Sequence, residues 1–163
     1  MKKIDLGQTV NTVANCGVIV GILLLVVELT QNRDMMRAQT RNDIAQGFQA
    51  FNAMWIAYPE LQEFTSRANS GEKLPASDAA LLGSAIEGAL RYWENSHYQY
   101  RQGLYDDVEF QRHLRTMEFV ISQNSSWIRY FCGRTELYAE PFVREIERMI
   151  EDHDMSCSSE GPF

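Results

Sequence analysis

Glu94 and His97 stand three residues apart, the Glu-x-x-His spacing that sets a carboxylate and an imidazole on one helix face, as in di-iron helical bundles. A dinuclear site needs a second copy of that motif and two further carboxylates from facing helices. Only one copy is present. Glu109 and His113 are four apart, His153 lies close to the C-terminal end, and a metal-dependent helical enzyme would have to recruit Glu63 or Glu118. The expectation is therefore no metal and no cofactor, with His97 packed at a core margin and making one hydrogen bond.

Around that pair, residues 89–107 hold the densest mixture of aromatic and polar side chains in the sequence. Arg91, Glu94, Asn95, Tyr98 and Arg101 recur at steps of three and four, so they share one helical face and can satisfy one another or cap a neighbouring helix end. The first reading of this face is a partly buried polar network that fixes how helices cross. The second is a small-molecule pocket, in which Glu94 and Arg101 recognise a polar ligand between aromatic walls. Catalytic residues are not expected. Ser125 and Ser126 lack a nucleophile-elbow context, and Cys132, with His113 as its sole partner in the body, reads as a buried structural cysteine.

The elements that must carry these groups read as helices throughout. Ile44, Phe48, Phe51, Trp55 and Tyr58 form an amphipathic stripe that ends at Pro59, and Leu61 and Phe64 turn inward just after it. Asn69, Ser70, Gly71, Glu72 and Lys73 predict a surface loop, and Ser77 an N-cap for a long helix through Leu82, Ile86, Leu90, Trp93, His97 and Tyr100, closed by Gly103. Asp106 or Asp107 opens the next helix, with Phe110, Leu114, Met117 and Ile121 inward, until residues 123–126 interrupt it. A short turn around Trp127, Ile128 and Phe131 follows. The last helix begins near Glu140 and Pro141, buries Phe142, Ile146, Met149 and Ile150, and can pair Glu140/Arg144, Arg144/Glu147 and Arg148/Glu151 outside. The stretch 154–163 is expected to be a disordered tail.

Ahead of this body, residues 6–27 carry no charge, and 18–27 are apolar apart from Gly21. A helix crosses the hydrocarbon core with about 20 mostly apolar residues, and this run reaches that length once Gln8, Thr9, Asn11, Thr12 and Asn15 are included. No small-residue cleavage site follows Val27, which argues for a retained single-pass helix rather than a secretory signal. Gln31, Asn32, Arg33 and Arg37 mark the water interface, and Gly17 and Gly21 have the spacing of a helix-pairing face. The expected division is an anchor at 1–30, a helical body at 31–153 and the tail. Lys2 and Lys3 before the span nearly balance Arg33, Arg37 and Arg41 after it, with a slight bias that puts the body in the cytoplasm.

The chain has 15 Lys and Arg against 22 Asp and Glu, and its formal net charge of −7 opposes nucleic-acid binding. Cys16, Cys132 and Cys157 are odd in number and scattered, so no disulfide framework is expected. The exit Glu28, Leu29, Thr30, Gln31, Asn32, Arg33 and the segment Arg91, Glu94, Asn95, Tyr98, Gln99, Arg101, Gly103, Leu104 together resemble a widespread group of short, uncharacterised bacterial proteins with one N-terminal membrane helix. That resemblance implies an all-helical, membrane-attached protein and supplies no reaction. The expectation is an all-α fold in which the transmembrane helix continues into a small antiparallel bundle. Its partners would be the lipid bilayer and another copy or another membrane protein, in a scaffold, regulatory or sensing role.

Overall fold

A computed structural model describes residues 6–157 of the chain. Its elements run α1 (Leu6–Ala57), α2 (Glu60–Asn69), α3 (Ala76–Arg101), α4 (Asp107–Gln123), α5 (Ser125–Cys132), a single 3-10 turn (Thr135–Leu137) and α6 (Glu140–Asp152). The fold is all-α, and no strand occurs among the described residues. Two units divide it, Met1–Gln39 and Thr40–Phe163.

In the first unit the described part belongs to α1, and its stretch 18–27 has no polar face. Val18, Ile19, Val20, Ile22, Leu23, Leu24, Leu25, Val26 and Val27 are each more than half exposed, from 52% to 63%. They cover every side of the helix, so no rotation or neighbour hides them. Leaving nine such side chains in water costs on the order of 10 kcal/mol relative to an apolar surrounding. This is one helix long and apolar enough to cross a membrane. Gln31, Asn32, Arg33 and Arg37 follow it, all exposed. Lys2 and Lys3 lie outside the described residues.

In the second unit the first buried side chains are Thr40 and Ile44, one helical turn apart. The core is built by Leu82, Ile86, Leu90 and Trp93 of α3 with Met117 and Ile121 of α4, Phe131 of α5, and Phe142, Ile146 and Ile150 of α6. Phe51, Met54 and Trp55 of α1 pack against it. Helix α3 is central, touching α2, α4, α5 and α6. Its C-terminal end is set by Gly103, whose φ of +69° suits a residue without a Cβ. There the Leu104 N–H donates to the Gln99 carbonyl and the Gly103 N–H to that of Tyr100, the paired bonds of a Schellman stop. Asp106 then caps α4 as expected, its side chain accepting from the backbone N–H groups of Val108 and Glu109 at 2.9 and 3.2 Å.

Four details differ from the sequence reading. Pro75, not Ser77, precedes the first residue of α3: its carbonyl accepts the first helical bond from the Ala79 N–H, and Ser77 inside the turn donates to Asp78. The break before α5 shrinks to Asn124. The Asn69 side-chain oxygen accepts from the Ser126 N–H at 3.0 Å, and this bond caps α5 from the end of α2. On α6, Arg144 pairs with Glu140 as expected, but Arg148 pairs with Glu145 one turn back rather than with Glu151. Finally, Cys132 and Cys157 form a disulfide, and Met155 packs against the core. The α6 helix carries the chain back toward the end of α5, which brings together two cysteines 25 residues apart. Residues 154–157 are thus tied down rather than free, and residues 158–163 of the expected tail lie outside the described residues.

Candidate functional site

The Arg91 face of α3 is occupied by contacts inside the protein. Arg91 Nε donates to Glu87 at 2.8 Å, and its Nη1 donates to Glu94 at 2.9 Å and to the Leu137 carbonyl at 2.8 Å. The other oxygen of Glu94 accepts from the Ala139 N–H at 2.6 Å, at the entry to α6. Tyr138 donates to Glu87 at 2.6 Å and lies under the Arg91 guanidinium, 4.6 Å from the ring centre. Burial and this carboxylate together raise the Tyr138 hydroxyl pKa far above that of free tyrosine, so the phenol stays protonated and remains a donor. Two carboxylates and one guanidinium thereby fix the junction that leads into α6. Asn95, Tyr98 and Arg101 of the same helix are exposed.

His97 is buried between Phe110 and Phe142, with each ring centre 6.0 Å away, and burial lowers its pKa. Glu63 sits 3.7 Å from Arg67 and Glu118 is 3.3 Å from His153, and no group of three or more metal-ligating side chains gathers among the described residues. Cys132 is committed to the disulfide and offers no thiol.

A different place combines a cleft with a buried polar atom that lacks a partner. The last part of α1 meets α3 and α4 around Tyr92, where the absence of a side chain on Gly47 lets the ring approach. A Cβ at residue 47 would lie 2.8 Å from Tyr92 Cδ2 and 2.9 Å from Cε2. Gly47→Ala is therefore expected to push the Tyr92 ring and to cost about 1–2 kcal/mol, overpacking outweighing the gain in helix propensity. A denaturant melt of the intact chain checks this, and an unchanged midpoint would mean that the ring yields freely.

Beside Tyr92 opens a cleft of about 310 Å³, walled by Ile44, Ala45 and Phe48 of α1, by Tyr105, and by Glu109, Arg112, His113 and Thr116 of α4, with Arg41 completing it. Arg41 pairs with Glu109 at 2.8 Å. Arg112 enters no ion pair among the described residues. The His113 ring meets Tyr92 edge-on, with centroids 5.1 Å apart, and its Nδ1 is 3.5 Å from the Tyr92 hydroxyl. Its Nε2 is buried and has no hydrogen-bond partner. Burial pushes the His113 pKa down to about 4 and that of Tyr92 up to about 12, so both are neutral near pH 7.

A second cavity of about 360 Å³ lies between α1, α2 and α4–α5, with Asn52, Gln62 and Asn124 among its lining. Its aromatic wall stacks Trp55 on Trp127 with centroids 6.1 Å apart. Both indole N–H groups are buried without partners.

Sequence reasoning did not gather the His113 cleft, because its residues come from 41–48, 92, 105 and 109–116. The one local signal was the Glu109/His113 spacing, which put both groups on one face of α4. No protein family, curated protein or solved structure matches the chain.

Proposed function

We propose that the chain is a single-span membrane protein whose helical body works by binding, as a scaffold, regulatory or sensing module, rather than by catalysis. The observation that carries this reading is the helix of apolar side chains exposed on all sides, which a lipid bilayer would cover and water would not. The resemblance of the 28–33 exit and the 91–104 segment to short single-span helical proteins supports the same layout. Within the body, Arg91 and Glu94 are engaged at the α6 junction, so a ligand role is better supported at the His113 cleft than along residues 91–101. Another copy of the chain, or another membrane protein, remains the partner class proposed for the anchor.

For the orientation, the arginines after the span favour a cytoplasmic body, while the Cys132–Cys157 pair favours an oxidising compartment. The charge balance is nearly even, so we give the disulfide the greater weight and infer that the body faces the oxidising side.

Carbonate extraction of membranes from cells making the intact chain, followed by protease added to one side at a time, tests both points. The chain is expected in the membrane pellet, with the body cut only from the oxidising side. Leu24→Arg is expected to move most of it into the carbonate supernatant, because a charge at mid-span costs about 3 kcal/mol. An intact chain that extracts freely would defeat the anchor, and cleavage only from the cytoplasmic side would reverse the orientation.

A further inference from the structure

The His113 cleft has the charge and shape of a ligand site. Of the groups lining it, Arg41 and Glu109 neutralise each other at 2.8 Å, Tyr92, Tyr105 and His113 are uncharged, and Arg112 is left as one net positive charge. This local excess is set in a chain whose net charge is −7. On one side stands Arg112, beside the ring of His113. Facing them on α1 are Ile44, Ala45 and Phe48, the last of which is 43% exposed despite being a large aromatic side chain. At about 310 Å³ the space is at the small end of ligand clefts and suits a molecule of roughly ten heavy atoms.

We propose that this cleft binds a small amphipathic monocarboxylate, with its carboxylate on Arg112 and its apolar part against Ile44, Ala45 and Phe48. A single free guanidinium matches a monoanion better than a phosphate dianion, and its planar donors fit the two oxygens of a carboxylate. Ile44, Ala45 and Phe48 give the site its preference for an acid with a hydrocarbon portion over acetate or inorganic phosphate. This inference rests on reading the body as a binding module and does not depend on the anchor or its orientation.

The test is calorimetric titration of the full chain in lipid nanodiscs with 3-phenylpropionate, against 3-phenylpropanol as a neutral molecule of similar shape and against inorganic phosphate. Protein-free discs supply the background. Saturable binding of the acid is expected, with the alcohol and phosphate each at least about 10-fold weaker, and Arg112→Gln is expected to weaken the acid by about 10-fold or more. Phe48→Ser, at the apolar end and on an exposed position, should also weaken it, while Arg148→Gln on α6 should leave it within about 2-fold. The proposal is overturned by any of three results: no saturable heat from the acid up to roughly 10 mM, equal binding of acid and alcohol, or acid binding unchanged in both the Arg112 and Phe48 variants. Phosphate binding tighter than the acid would also overturn it, and would point to an anion site without an apolar half. None of these results bears on carbonate extraction, so failure here and failure of the membrane reading are distinguishable.

Discussion

Phe142→Ala is expected to destabilise the body by about 3–5 kcal/mol, the range for removing a fully buried phenyl ring. Phe142 is completely buried at the start of α6, with the rings of His97 and Tyr138 each 6.0 Å from its own. It lies where α6 meets α3, three residues after the backbone N–H that Glu94 holds. Truncation therefore opens a cavity beside a polar junction that cannot collapse without breaking charge-assisted bonds. Urea unfolding of the full chain in detergent, followed by tryptophan fluorescence, reads this as a lower midpoint at unchanged slope. A loss below about 1 kcal/mol would show that the α6 contact is not part of the cooperative core.

Acidification should be nearly as costly, through His113. Its pKa falls from the ordinary 6.5 to about 4 because burial disfavours the imidazolium. As pH drops, the unfolded chain takes up the proton first, so between about 6.5 and 4 the unfolded state binds more protons than the native state. Stability from this group is complete above that window, is lost as pH falls through it, and declines no further below it. The full gap corresponds to about 3 kcal/mol, and burial of His97 adds a smaller contribution of the same sign. The difference in unfolding free energy between pH 7 and pH 4.5 should shrink by about 2–3 kcal/mol in His113→Phe, which keeps the ring and removes the titration. An identical pH dependence in the variant would mean that His113 is protonated as easily in the native protein as in the unfolded chain.

How much of this could be read from the residues depends on whether the signal is local. The break between α3 and α4 was legible because a left-handed stop at Gly103 and a side-chain cap at Asp106 are each written in one residue. The stripes Phe110, Met117, Ile121 and Phe142, Ile146, Ile150 were legible because helical period alone selects the buried face. Ser77 misled, since a good capping side chain two residues after a proline is overridden by the backbone that the proline sets. The role of Asn69 was hidden for a different reason: its oxygen caps α5, 57 residues away, and nothing in its own neighbourhood announces that. The cleft shares this difficulty. Arg41, Tyr92 and His113 become neighbours only when three helices pack, and the close approach that permits it turns on the missing side chain of Gly47.

The link between Cys132 and Cys157 also changes what a break in the chain would mean. Together the two cysteines close a covalent ring that contains the whole of α6 and the turn before it. A protease that cut after Arg144 or Arg148, both exposed on that helix, would open the ring without releasing a fragment. The two halves would stay joined through sulfur, with Phe142 and Ile150 on opposite sides of the nick and both still seated in the core. A nicked molecule would keep its mass until a reductant was added, and only then would the C-terminal piece come away.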